Sequence, residues 1–497
     1  MWGNMKAVNL ALLLTESVQL HADRPALIAD NQRITYRQLQ SAVSAVARSL
    51  KNMGLQKGDK VAIMLPNIPE FVYSCFAVFQ SGAVAVLLNT GSTPYELAYL
   101  LNNSDAKILV THAAGEKRYL EIKDQLATCR NLLTIDPTQN AFLSENASDI
   151  AAPPSVPIDA DDPAVMIYTA GLTGKPLGAV LTHGNLASEL NVCHKTFRRT
   201  PDDIGLCLIP LFHSFGVTVN MLNVIQAGCS TVMMDRLTMD GLFSAMEREK
   251  VTYIVAVPRL YMGMVFYEKA SKYDLSSLSL CVTGGSAMPP DFIPVFEQKF
   301  NARILEGYGL TEAAPACSFN RIEAVAKPGS IGTALDGIDI KIVDENGREV
   351  PRNTVGELIV RGGNVMKGYY KDEAATAAVL KDGWLYTGDL GRMDEEGYIF
   401  LTGIKKRMII TSGFNVYPRE VETILEMNPA VKECRVVGKQ DLMRGELVKA
   451  QVVLRDGFHP DEKEIIRHCK VYLSPYKVPR EVEFVPSITE SNFRKLD

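Results

Sequence analysis

Tyr168-Thr169-Ala170-Gly171-Leu172-Thr173-Gly174-Lys175-Pro176-Leu177-Gly178 follows an apolar run, Ala164–Ile167, that reads as a buried strand. Three glycines and two threonines fall within these eleven residues. Glycine lets a backbone turn tightly and aim its N–H groups at an anion. Threonine hydroxyls add further donors. A strand running into such a loop suits a phosphate. The spacing is not that of a Walker loop, because Gly171 and Gly174 are too close together and Pro176 follows Lys175. Alone, the stretch reads equally well as an ordinary turn, so its neighbours must decide.

The chain around it has 497 residues, long enough for two or more domains. A hydrophobic share of 47% and a charged share of 22% are those of a globular protein, not a disordered or fibrous one. A net charge of -5 offers no footprint for nucleic acid or an anionic membrane. Nine cysteines are scattered without a C-x-x-C pair, which argues against a disulfide framework or a zinc site and suits a reducing cytoplasm. The histidines show no H-E-x-x-H pattern. Ala7–Leu14 is briefly apolar, but Asn9 interrupts it and Glu16 follows, so an amphipathic first helix is expected in place of a signal peptide. No run approaches the roughly 20 apolar residues of a membrane span.

Upstream of the opening stretch the text alternates. Val61–Leu65 is a strand, Glu70–Ser81 a helix ending at Gly82, Ala83–Leu88 a strand, Thr93–Asn102 a helix and Lys107–Thr111 a strand. That rhythm predicts a parallel sheet covered on both faces. It resumes downstream, where Leu278–Thr283 ends in Gly284-Gly285-Ser286 and Ala302–Glu306 ends in Gly307-Tyr308-Gly309-Leu310-Thr311-Glu312. Open parallel sheets bind ligands at the carboxyl ends of their strands, so these loops and the one at Tyr168 are expected to share a crevice. From about residue 327, short strands between Gly, Pro and charged turns predict an antiparallel or barrel-like subdomain. A charged segment at 403–407 is read as a linker, and 408–497 as a small α+β domain. The fold class is therefore α/β: a large N-terminal domain, 1–402, of parallel-sheet subdomains plus a β-barrel-like one, with a small α+β C-terminal domain.

Five motifs occur in order: Tyr168 to Gly174, Pro210-Leu211-Phe212-His213, Tyr308-Gly309-Leu310-Thr311-Glu312, Tyr386-Thr387-Gly388-Asp389, and Gly413-Phe414-Asn415-Val416-Tyr417-Pro418-Arg419-Glu420-Val421-Glu422. Each is weak alone. Together they resemble the AMP-forming acyl-CoA synthetase family of the adenylate-forming superfamily, and within it the fatty-acid and aryl-acid CoA ligases. The resemblance implies two half-reactions. A carboxylate attacks the α-phosphorus of ATP to give an acyl-adenylate and pyrophosphate; coenzyme A then displaces AMP to give a thioester. Such chemistry needs donors for phosphates, a cation and a dry acyl pocket.

The resemblance also implies roles, residue by residue. Glu312 matches the glutamate that holds Mg2+, and Thr311 beside it would bond the α-phosphate. Thr169, Gly171, Thr173 and Gly174 form the phosphate loop, with Thr173 among the catalytic group. Gly284, Gly285 and Ser286 lie against adenine, Tyr308 stacks on the base with Gly309 next to it, and Asp389 takes the ribose hydroxyls. His213 stands where acyl and nucleotide sites meet. Lys495 falls at the adenylation lysine, although Arg494 precedes it where glycine is usual. Gly413 and Phe414 line the coenzyme A passage, and the small domain turns at a hinge near Lys406 and Arg407. The partners implied are a small-molecule carboxylic acid, ATP and coenzyme A, with no nucleic acid and no membrane span, and a homo-oligomer is compatible with the family.

The chain also departs from the family. Ala170 replaces a serine, Leu172 a threonine or serine, and Leu177 the loop lysine. Ile404 replaces an arginine at the ribose, and Arg407 an acid at the hinge. These leave a rival reading, a catalytically impaired homologue that binds acyl-CoA or a partner. An amino-acid adenylation module is a third, disfavoured because the segment after Phe212 has no acid for a substrate ammonium. Apolar segments Val217–Gln226, Ala256–Met264 and Gly285–Met288 are expected to wall a hydrophobic acyl pocket, with Met262, Met264 and Met288 adapting to its occupant.

Overall fold

Strands that are apolar on both faces need a cover on both faces, and this chain supplies helices between them. The structure, a computed structural model, describes residues 9–29, 32–136, 156–170, 175–234, 237–324, 326–404, 408–441 and 444–488. Lys60–Met64, Val84–Leu87, Ala106–His112, Asn131–Ile135 and Pro163–Ala170 form a parallel array. Pro176–Thr182 and Gly368–Tyr369 extend it antiparallel at one edge into a seven-stranded sheet. Ile63, Val86 and Leu109 are almost fully buried; helices Pro69–Gln80 and Tyr36–Asn52 pack on the face of Ile63, and Pro94–Ser104 and Ala113–Ile122 on the opposite face with Val86 and Leu109.

A second sheet of nine strands repeats the plan. Pro25–Ala29, Ser230–Met233, Ile204–Cys207, Tyr253–Ala256, Leu280–Thr283 and Arg303–Gly309 run parallel, and antiparallel strands close its two edges. The third sheet, five antiparallel strands from Ile338 to Ile404, stands where the barrel-like subdomain is expected. The fourth holds Ile409–Thr411, Phe414–Val416, Val431–Asp441, Gly445–Leu454 and Glu481–Phe484, with its own core of Val421, Leu425, Val452 and Cys469. All nine cysteines are unpaired. Among the described residues no helix is long and apolar enough to cross a membrane.

Three local features differ from the expectation. Pro163–Ala170 and Pro176–Thr182, the strands on either side of the glycine-rich stretch, pair antiparallel, whereas a strand leading into a parallel crossover is the pattern of the neighbouring elements. Arg303–Gly309 runs three residues beyond Glu306, because Ala316–Phe319 folds back and pairs with Gly307 to Gly309. The helix expected over Val217–Gln226 begins as a π-helical turn, Gly216–Leu222, and becomes α-helical at Asn223–Ala227. Such wide turns are uncommon and concentrate near functional sites. This one lies directly after His213.

Tyr261, on the helix Pro258–Phe266, ties two strands of the second sheet from beneath. Its side chain is fully buried, and its hydroxyl lies 3.0 Å from the Ile254 carbonyl and 2.8 Å from that of Val282. The single hydroxyl proton is shared between them. Tyr261→Phe keeps the ring and removes the donor, so it is expected to lower stability by about 1–3 kcal/mol. Urea denaturation of the variant checks this. A midpoint equal to the parent's would show that the hydroxyl contributes nothing.

Candidate active site

The carboxyl end of Leu280–Thr283 delivers Gly284, Gly285 and Ser286 beside the end of Arg303–Gly309. A Cβ on Gly284 would sit 3.2 Å from the Gly307 carbonyl oxygen, so the two backbones approach closely enough to make a side chain there a tight fit. Beyond the loop, Met288 donates its N–H to Glu306 Oε1 at 3.0 Å. Burial lifts Glu306 to about 7. Two residues along the strand, half-buried Tyr308 donates its hydroxyl to Asp389 Oδ2 at 2.5 Å. Asp389 belongs to Trp384–Met393, where it pairs with Ile404 and its backbone N–H donates to Thr387 Oγ1 at 3.0 Å.

Thr311 and Glu312 follow in a tight turn closed by Leu310 N–H to the Pro315 carbonyl at 2.9 Å. Ser214 and Thr311 share a hydroxyl hydrogen bond of 3.3 Å. Glu312 Oε1 accepts from Tyr369 at 2.8 Å and from Thr169 at 3.3 Å. Burial and the Glu312 charge push the Tyr369 phenol well above its usual range, which keeps it a donor. The turn is also held from behind. Fully buried Glu189 accepts from Ala316 N–H at 3.1 Å and from Asn364 at 3.1 Å, while Asn364 also donates to the carbonyls of Ala313 and Ala316. Burial lifts Glu189 to about 8.

His213 leads into the π-helical turn. Its Nδ1 accepts the Phe215 N–H at 3.2 Å, which leaves the proton of a neutral ring on Nε2. Burial lowers its pKa to about 4.

The last sheet meets these residues from the other side. Gly413 adopts φ +84, and a Cβ there would come within 2.8 Å of Val257 Cγ1. Both the backbone angle and the contact require glycine. Phe414 stacks on Tyr476, with centroids 4.7 Å apart. Burial, then the charges of Glu312 and Asp389, raise the Tyr417 phenol above its ordinary value. A cavity of about 250 Å³ runs between the two sides. Thr169, Lys175, His213 and Thr311 line it from one side, Phe414 and Tyr417 from the other.

Of the residues singled out in the sequence, the structure thus brings Thr169, His213, Thr311 and Phe414 to one cavity. It joins Thr169 to Glu312, and Tyr308 to Asp389. Gly171, Thr173, Gly174, Lys406, Arg407 and Lys495 lie outside the described residues, as does Leu172. Met264 and Met288 do not wall the cavity; they fill the core around Tyr261 and Phe296 beneath the second sheet. Sequence reasoning missed Tyr369, Tyr417, Glu189 and Asn364. Tyr417 stood inside a quoted motif. The Gly368-Tyr369-Tyr370 run was the available signal for Tyr369.

The family described as AMP-binding enzyme matches residues 14–370, and its C-terminal domain matches 420–492. The chain belongs to the AMP-binding enzyme family. Among curated relatives, a long-chain-fatty-acid–CoA ligase of Bacillus subtilis is 33% identical over 520 residues, covering 98% of this chain and 93% of the relative. Among solved structures, o-succinylbenzoate CoA synthetase of Bacillus subtilis, bound with its product analogue OSB-NCoA, superposes with a TM-score of 0.85 at 30% identity, covering 97% and 96% of the two chains. ATP-bound MatB of Rhodopseudomonas palustris gives 0.74 at 30% identity and coverage of 97% and 95%.

The histidine of this AMP-binding enzyme makes a direct prediction. With its folded value depressed to about 4, His213 stays neutral from pH 8 down to about pH 5 and charges only as pH falls through its folded value. An NMR titration of the imidazole signal absent from a His213→Gln variant should show no midpoint in that range. A midpoint near 6.5 would contradict the burial argument.

Proposed function

We propose that this chain is an ATP-dependent carboxylic acid:CoA ligase that forms an acyl-adenylate and then an acyl-CoA thioester. The carrying observation is the cavity whose wall combines Thr169, His213 and Thr311 with Phe414 and Tyr417 of the last sheet. A reaction whose first displacement is at the α-phosphorus of ATP and whose second is at the acyl carbon needs a pocket approached from both sides. The relatives named above support fatty or aryl acids as substrates.

In this reading Asp389 receives ribose hydroxyls, a task suited to an acceptor-only carboxylate. Tyr308 is held by Asp389 at its hydroxyl and offers its ring to the base. Glu312 would hold Mg2+, which would neutralise phosphate charge. One carboxylate suffices for a hard cation that keeps its waters and shares the phosphates. Among the described residues no cluster of three or more ligands competes for that role. Tyr369 fixes the carboxylate's orientation. Neutral His213, with its proton on Nε2, can donate to a carboxylate oxygen between the acyl and nucleotide sites. Gly171, Thr173 and Gly174 contribute loop donors, and Lys495 the cation of the first step. Residues 403–407 act as the hinge between a large domain, 1–402, and a small one, 408–497.

Leu177 lacks the charge of the usual loop lysine. It pairs with Thr169 across the hairpin, whereas Lys175, two residues earlier, lines the cavity and makes no ion pair or hydrogen bond among the described residues. Lys175 takes over the loop's cationic task. Lys175→Ala is expected to raise the KM for ATP about tenfold or more, the size of one charge-assisted bond. An unchanged KM would return the task to the loop backbone.

The arrangement of the small domain supports the thioester-forming half. At equal identity, the chain superposes better on the relative carrying a CoA product analogue than on the one carrying ATP. A second cavity, which shares Ser92 and Leu473 with the first, is lined by Arg118, Lys470 and Arg480, whose positive charge suits the phosphates of coenzyme A.

Acid-dependent ATP–pyrophosphate exchange and thioester formation, run across fatty and aryl acids, test the reading. Absence of exchange with every acid, with acyl-CoA binding retained, would favour the impaired homologue, a reading that Leu172 and Leu177 in the loop keep in play. Lys495→Ala should suppress exchange yet spare thioester formation from supplied acyl-adenylate; equal loss of both would remove Lys495 from the first step.

A further inference from the structure

A buried charge group crosses the join between the last sheet and the rest of the molecule. Lys477 Nζ donates to Glu96 Oε1 at 2.9 Å and to Glu420 Oε1 at 2.5 Å, and all three side chains are about nine-tenths buried. Ser474 Oγ donates to Glu96 Oε2 at 2.6 Å. Glu96 comes from the large part, on the helix Pro94–Ser104; Ser474, Lys477 and Glu420 come from the small one. Next to it, Thr93 Oγ1 donates to the Tyr472 carbonyl at 2.9 Å, and the rings of Tyr95 and Tyr472 meet edge to face at 5.4 Å.

Glu96 has a local task as well. Thr93 and Glu96 form the capping box of their helix, with Thr93 N–H bonded to Glu96 Oε2 at 3.0 Å. The cap uses one oxygen and leaves Oε1 for Lys477. Burial alone would raise the Glu96 carboxyl, yet Lys477 and Ser474 bring it below its usual value. Glu420 is the contrasting partner: burial leaves it above its usual value, and it travels with Lys477 on the same small domain.

A buried ion pair is favourable only while its partners remain apposed; separated, each charge must find water or a new partner. Lys477 and Glu420 stay together wherever the small domain goes. The bond to Glu96 exists only in the present arrangement. That arrangement also puts Phe414, stacked on Tyr476, on the wall of the cavity.

Resting on the ligase reading, we propose that Glu96 is a positioning residue for thioester formation. With Lys477 and Ser474 it latches the small domain where Phe414 faces the cavity, and adenylation requires the latch to open.

Glu96→Gln tests this, because glutamine keeps the cap acceptor and the shape while removing the charge. Thioester formation from supplied acyl-adenylate and coenzyme A should fall about tenfold, while acid-dependent ATP–pyrophosphate exchange holds or rises. Lys477→Arg, which keeps the charge, should retain most thioester activity. Parallel loss of both half-reactions, or loss of neither, overturns the proposal. If the parent chain shows no exchange at all, the ligase reading fails separately, and a structural readout still decides the latch. Spin labels at Leu120→Cys and Val471→Cys, both exposed, report the spacing of the two parts. The parent background should give one narrow distance, and Glu96→Gln a broadened or shifted one; identical distributions would refute the latch.

Discussion

A parallel strand buried on both faces can offer chemistry only at its ends, and this molecule depends on that constraint. Pro163–Ala170 belongs to one sheet, Leu280–Thr283 and Arg303–Gly309 to another. Their carboxyl ends nevertheless converge, because the two sheets share one continuous apolar core through residues such as Phe79, Leu186 and Val219. Thr169 from the first sheet reaches Glu312, just beyond the second. The third sheet adds Asp389 to Tyr308. Three sheets meet at these hydrogen bonds; Thr169, Tyr308 and Glu312 stand at a strand end or in the turn after it, and Asp389 in the middle of Trp384–Met393.

The polar groups behind that meeting point follow from the cost of burial. Glu189 and Asn364 are fully buried and bonded to each other; Glu189 accepts the Ala316 N–H of the turn at Thr311 to Ala316, and Asn364 donates to the carbonyls of Ala313 and Ala316. An unpaired buried amide or carbonyl costs about 1–3 kcal/mol, so such a pair fixes the turn more firmly than loop packing could. The turn carries Glu312, whose direction is then set by Tyr369 and Thr169. Orientation precedes chemistry here: the carboxylate is aimed before any ligand arrives.

Much of the fold was legible because it rests on local pattern. Apolar runs stopped by glycine or proline marked Lys60–Met64, Val84–Leu87 and Leu280–Thr283 to within a residue or two. The ordered motifs pointed to the family and grouped Thr169, His213, Thr311, Glu312 and Asp389. What stayed hidden depends on distant partners. Tyr369 reads as one more tyrosine until its edge strand pairs with Pro176–Thr182 and swings it to Glu312. Glu96 reads as a helix-capping residue, and nothing local shows that Lys477 will meet it. The extension of Arg303–Gly309 past Glu306 was equally unreadable, since the partner strand lies beyond a turn. Met264 and Met288 misled because an apolar wall and an apolar core have the same composition; only packing separates them.

The departures at Ala170, Leu172 and Leu177 bear on how the chain handles phosphate, and the surrounding geometry limits what they imply. Backbone N–H groups do not depend on side-chain identity, so a loop can lose hydroxyls and keep its donors. Side-chain charge is different, because it must sit where the anion sits. On the hairpin strand, Leu177 faces Thr169 across the ladder, and an apolar residue there adds nothing to an anion. Lys175, just before that strand, lines the cavity, so a positive charge is present two residues from Leu177. Glu312 and Asp389 meanwhile each keep a tyrosine donor. A binding-only protein would have no use for two oriented carboxylates at the ends of three sheets. Their presence, beside a lysine on the cavity wall, argues for altered phosphate contacts over abandoned chemistry.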